Sequence, residues 1–76
     1  MDQRTYLRET VRAVRMARAE PGYAEYWEGY RCGLRRAQFG TECGTEDQHH
    51  QWMAMAESAD TIKAAFGRGY RDGLIA

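Results

Sequence analysis

The sequence is poor in what stops a helix and in what builds a sheet. Proline occurs once in 76 residues, at Pro21, and valine and isoleucine together number four: Val11, Val14, Ile62 and Ile75. So few β-branched aliphatic side chains argue against a pleated core and for helices. No apolar run approaches the roughly 20 residues that a membrane span needs. The opening Met1-Asp2-Gln3-Arg4 has no secretory-signal pattern, so the expected location is the cytoplasm and no membrane partner is expected. There the two cysteines, Cys32 and Cys43, are expected to be free thiols. Lysine is nearly absent as well: Lys63 stands alone beside ten arginines. Net charge is zero, which leaves out the overall basic excess of a dedicated nucleic-acid binder.

That zero conceals a dipole. Residues 1–40 carry eight arginines and five acids, a balance of +3. Residues 41–76 carry three basic groups and six acids, a balance of −3. Such a chain is suited to self-association, or to a partner with matching patches. With 43% apolar and 29% charged residues, its composition is that of a globular protein. Its length makes one domain, 1–76, and a domain this small buries only about 60% of its unfolded surface. The nine aromatic residues are expected to supply much of the core.

What the sequence does have is a recurrence. Gly29-Tyr30-Arg31-Cys32-Gly33-Leu34 returns forty positions later as Gly69-Tyr70-Arg71-Asp72-Gly73-Leu74. Two glycines four apart stack on one face of a helix. Each costs about 1 kcal/mol relative to alanine in a helix interior, so a matched set points to packing. Flat strips let a second helix approach closely. Gly29, Gly33, Gly69 and Gly73, with Tyr30 and Tyr70, are therefore the expected helix-packing residues.

The expected fold is all-α, a single small domain of three to four helices near 3–19, 23–38, 46–57 and 61–75. In the first, Tyr6, Leu7, Thr10, Val11, Ala13, Val14 and Ala17 form an apolar face by 100° spacing. Arg4, Arg8, Arg12, Arg15 and Arg18 run beside it. That stripe reads either as a solvated flank whose stems cover the core edge or as a docking surface for an anionic partner. Glu20-Pro21-Gly22 turns the chain. In the second helix Tyr23, Tyr26, Trp27, Tyr30, Leu34 and Ala37 join the glycines, while Glu25, Glu28, Arg31, Arg35 and Arg36 take the outer face. Glu28 is placed to pair with Arg31 and Arg35. Gly40 is a natural stop. Thr45 with Gln48 reads as a capping box, and Ser58 or Asp60 caps the last helix. In that helix Ile62, Phe66, Gly69, Tyr70, Gly73 and Leu74 line the inner face, with Arg68 and Asp72 pointing away.

No set of residues argues for chemistry. Gly67-Arg68-Gly69-Tyr70-Arg71-Asp72-Gly73 follows no strand, as a phosphate-cradling loop would. Cys32, Cys43, His49 and His50 match no structural zinc spacing. His49 sits on an apolar helix face and His50 on the outer one; nucleophilic catalysis with Cys43 would need a third, orienting group and a pocket, for which a four-helix domain this small rarely has room. Met16, Met53 and Met55 read as gap-filling core residues. No enzyme activity, cofactor, metal or small-molecule substrate is expected.

The two glycine–tyrosine copies, with Trp52 between them, resemble the ribosome modulation factor family of small bacterial proteins. That family has a helical hairpin in which a Gly-Tyr-x-x-Gly helix is followed by a loop and a Trp-x-x-Gly-(aromatic) helix. Gly29-Tyr30-Arg31-Cys32-Gly33 looks like the first half; Trp52 and Gly69-Tyr70-Arg71-Asp72-Gly73 look like pieces of the second. The run from Phe39-Gly40-Thr41 to Gly67-Arg68-Gly69-Tyr70 is also similar to uncharacterised small bacterial proteins. The resemblance implies a ribosome- or RNA-associated factor, and Arg4, Arg8, Arg12, Arg15 and Arg31 are the residues through which this chain is expected to act as one. The residues by themselves favour a non-enzymatic binding protein that docks on a larger macromolecule or on its own copy, with Arg4, Arg8, Arg12, Arg15, Arg18 and Arg31 as partner-binding candidates. A phage-encoded inhibitor of a host protein machine is a third expectation.

Overall fold

The computed structural model describes residues 1–76. Its helices are Gln3–Ala19 (α1), Ala24–Phe39 (α2), Glu46–Met55 (α3) and Thr61–Leu74 (α4), and it contains no strand. Short 3₁₀ turns, Pro21–Tyr23 and Gly40–Cys43, precede and follow α2. The architecture is all-α, with closely packed helices.

Local chemistry sets the ends. The Asp2 carboxylate accepts from the Thr5 amide at 2.8 Å, satisfying one of the free donors at the start of α1. Pro21 opens the first turn, where its missing N–H costs nothing. Gly40, at φ 62°, stops α2 in a conformation that disfavours a side chain. Thr45 and Gln48 form the reciprocal cap of α3: Thr45 Oγ1 accepts from the Gln48 amide at 3.1 Å, and Gln48 Oε1 from the Thr45 amide at 3.0 Å. Asp60 is the cap of α4, accepting from the amides of Ile62 and Lys63.

The two look-alike helices are the centre of the molecule, and α2 against α4 is its largest interface. A Cβ added to Gly29 would stand 2.0 Å from the Phe66 carbonyl oxygen, and one on Gly69 would stand 1.9 Å from that of Tyr26. At Gly33 the obstacle would be the Tyr70 carbonyl, and at Gly73 the Tyr30 carbonyl. Each contact recurs with its partners exchanged and displaced by forty positions. The contacts also advance in step along both helices, so α2 and α4 run the same way, backbone on backbone. Close approach of Cα–H groups to carbonyls adds weak attraction to the dispersion gained.

The outer helices return antiparallel on the inner ones. On α1, Tyr6 meets Phe39 edge-on at 5.4 Å, and Ala13 is fully buried among Trp27, Tyr30 and Leu34. On α3, Trp52 lies 5.2 Å from the Tyr70 ring, and His49 Nδ1 is 2.6 Å from the Tyr70 hydroxyl. The Tyr30 hydroxyl correspondingly donates to Glu9 at 3.3 Å. Glu9 and His49 are again forty apart, as are the two tyrosines.

Several side chains lie elsewhere than a helical wheel suggests. Ile62 is 60% exposed, because it shares the α2-facing side of α4 with Gly69 and Gly73 but lies ahead of their contacts, and α2 begins only at Ala24. Gly67 is a fifth close approach, made to the end of α3: a Cβ there would stand 2.1 Å from the Ala56 amide nitrogen. Arg36 turns inward, donating to the Gly44 carbonyl and to Glu46, with only 10% of its side chain exposed. Arg35 donates to Cys32 Sγ, so Glu28 pairs with Arg31 alone. Asp72 is exposed, as its place on the wheel suggests, and from there accepts a hydrogen bond from the Tyr26 hydroxyl of α2.

Candidate functional site

The outer surface of α1 combines apolar side chains with unpaired positive charge. α2, with the turn before it, supplies the main cover of α1, and one main neighbour shields a narrower sector than the helix's apolar face. Ala13 therefore lies inside, with Tyr6, Met16 and Ala17 packed around it, while Leu7 is 52% and Val11 49% exposed. These two are one turn apart and share a face. Arg8 and Arg15 flank them, and Arg12 and Met16 complete the walls of a shallow groove.

The arginine stripe divides in two. Arg12 is engaged within the chain although its side chain is 54% exposed: it pairs with Glu9 at 3.6 Å, and its guanidinium lies 5.4 Å from the centre of the Trp27 ring. Cation–π attraction of this sort is worth about 0.5–1 kcal/mol at an exposed site. Arg4, Arg8, Arg15 and Arg18 are exposed and take part in none of the four ion pairs of the chain. Arg31 lies on α2, away from this face, and pairs with Glu28 at 3.5 Å. Four of the six candidate arginines are thus together and unengaged. Periodicity places the hydrophobic component, Leu7 and Val11, on the apolar face of α1, and the structure leaves both half exposed. Their place beside Arg8 and Arg15 was a sequence signal, since long side chains flanking an apolar pair shade it only partly.

The packing residues Gly29, Gly33, Gly69, Gly73, Tyr30 and Tyr70 all lie at the α2–α4 contact. Burial raises the phenol pKa of Tyr30, helped by the Glu9 carboxylate, and burial likewise raises that of Tyr70. Tyr26 is pushed up to about 12 by burial, then by its hydrogen bond to Asp72 and that group's charge. These phenols stay neutral at ordinary pH and act as interhelical hydrogen-bonding groups.

The half-buried Cys32 and Cys43 are free and border one shallow depression with Arg35 and Trp52. No group of three or more His, Cys, Asp and Glu side chains is placed to hold a metal ion, and no helix is long and apolar enough to cross a membrane. Comparison with protein-family models, with curated proteins and with solved structures finds no match.

Proposed function

We propose that this protein is a small non-enzymatic binding module that docks through the outer face of α1 on a larger macromolecule or on a second copy of itself. The observation that carries the reading is the exposed Leu7–Val11 pair set among Arg4, Arg8, Arg15 and Arg18, none of which has a carboxylate partner in the chain. Apolar contact at the centre with charge at the rim is the anatomy of a protein interface. The hydrogen-bonded tyrosines, His49 and Asp72 support the same reading, since each joins two helices.

The test compares wild type with a Leu7→Asp/Val11→Asp variant in capture from an extract of the cells that make the protein. Because both positions are half exposed, the variant is expected to keep its helicity and to unfold within about 1 kcal/mol of wild type. Loss of a reproducibly captured partner supports the reading, and equal capture by both proteins contradicts it.

A second reading, a ribosome- or RNA-associated factor, draws on the four unengaged arginines. If they neutralise phosphates, the logarithm of affinity for total RNA falls linearly with the logarithm of salt concentration. A quadruple Arg→Gln variant at 4, 8, 15 and 18 then shows a flatter slope; no binding at low salt ends this reading.

A further inference from the structure

We infer that the occupant of the α1 face is the α3 edge of a second copy of this chain. The inference rests on the reading of α1 as a docking face and names what docks there. α1 packs on α2 and α3 packs on α4, so the basic and acidic outer helices occupy different flanks of the central pair. On α3 and the turn after it, Asp47, Gln51, Ala54 and Glu57 are all exposed and recur at helical spacing. Acids stand at both ends of this row and a small apolar residue lies between them. On α1, Arg8, Val11 and Arg18 give the opposite pattern: cations at the ends, an apolar residue between.

The spacings agree. Arg8 and Arg18 are ten residues apart, about 15 Å along α1, and Asp47 and Glu57 are ten apart as well, Glu57 standing in the turn just past the end of α3. Laid antiparallel, α1 of one copy sets Arg8 beside Glu57, Val11 beside Ala54 and Arg18 beside Asp47 of the other. Ala54 offers little bulk, so the helices can approach and Val11 loses its exposed surface. Glu57 already pairs with Arg71 at 3.1 Å, yet its side chain remains 75% exposed and can accept a second cation. Lys63 borders this edge near Met55 and sets a like charge close by, which makes the Arg8 end the weaker of the two. An RNA backbone would satisfy the arginines but not Leu7 and Val11. The rings nearest to them, Tyr6 and Trp27, are packed against the core, so no base-stacking platform stands on this face. Zero net charge removes the long-range repulsion that would oppose self-association.

One such contact leaves a free α1 at one end and a free α3 edge at the other. Association therefore closes as a two-fold dimer that makes the contact twice, or grows with concentration.

The experiment is sedimentation velocity of the nuclease-treated full chain, at about 0.05 M and about 0.5 M salt, where screening lengths differ severalfold. Wild type is expected to show at least a doubling of weight-average mass at low salt and a return toward monomer at high salt. Arg8→Glu/Arg18→Glu and Asp47→Lys/Glu57→Lys are each expected to be monomeric at low salt, and an equimolar mixture of the two regains a heteromeric species. Far-UV circular dichroism checks that each is folded. The milder Arg8→Gln/Arg18→Gln variant, expected to weaken assembly about tenfold, serves if a reversal variant unfolds. Monomeric wild type at every salt overturns the inference, as does assembly that the substitutions leave unchanged or that nuclease abolishes, the last giving the face to nucleic acid. Monomeric wild type combined with loss of a cellular partner by Leu7→Asp/Val11→Asp removes the second copy while leaving α1 as a docking face. Monomeric wild type with unchanged capture removes both.

Discussion

The hydroxyl of Tyr70 meets Nδ1 of His49 at 2.6 Å, and the Tyr70 side chain is wholly shielded from solvent. This bond ties α3 to α4 at a place where water cannot replace either partner on the tyrosine side. Tyr70→Phe should therefore cost about 1 kcal/mol, the usual net value of a buried hydrogen bond, with further loss if His49 is left unpaired. The equivalent Tyr30→Phe should cost less, since that contact is 3.3 Å long and Glu9 keeps Arg12. Urea unfolding of the two variants checks the order, and a larger loss from Tyr30→Phe would contradict it.

Alkaline pH gives a separate readout of the α2–α4 interface. Burial and the Asp72 hydrogen bond push the Tyr26 phenol up to about 12 from the ordinary 10.0. A raised folded-state value means that the folded protein holds the phenolic proton more tightly than the unfolded chain. The linked stability is fully present below pH 10 and is lost as pH rises through about 12. Its size is on the order of 1–2 kcal/mol, because the group is not wholly buried. Unfolding measured between those limits should show wild type falling more steeply than Tyr26→Phe. Parallel curves would mean that the hydroxyl is not held as described.

Arg71 closes the other end of α3. Its Nε and Nη2 both donate to the Met53 carbonyl, at 3.1 and 2.8 Å, while Nη1 reaches Glu57. A lysine has one ammonium and no fork. Arg71→Lys is accordingly expected to lose nearly as much stability as Arg71→Ala, about 1 kcal/mol by thermal unfolding. Full retention by lysine would reduce the role of Arg71 to its charge.

The fold was legible wherever residue type alone carried the message. Glycine at matched spacing, Pro21, Gly40, and the Thr45–Gln48 cap each act through the backbone, and a sequence displays them directly. Side-chain direction was less legible, because a wheel locates an apolar face but says nothing of how much of it a neighbour covers. Leu7, Val11 and Ile62 lie outside for that reason: α2 is the main helical neighbour of α1, and it begins too late to cover the start of α4. The wheel places Arg36 and Asp72 on outer faces, and Asp72 is indeed exposed, yet Arg36 turns inward and each finds a specific polar partner from another element. Those partners are distant in sequence, and nothing local announces them. The candidate site shows the same division, since the arginine stripe was visible while its split into an engaged Arg12 and four unengaged residues depended on where Trp27 and Glu9 came to rest.

The most direct measurement compares the unfolding free energies of Gly69→Ala and Gly22→Ala. Alanine is the better helix former, so propensity alone would make the first substitution stabilising by about 1 kcal/mol. The Gly69 Cβ, however, would stand 1.9 Å from the Tyr26 carbonyl oxygen, while nothing lies within 4 Å of one at Gly22. Backbone contact between α2 and α4 therefore predicts that Gly69→Ala loses at least 1–3 kcal/mol as the helices are forced apart, whereas Gly22→Ala stays within about 1 kcal/mol of wild type. A Gly69→Ala protein as stable as wild type, or more so, would contradict the contact on which the whole arrangement depends.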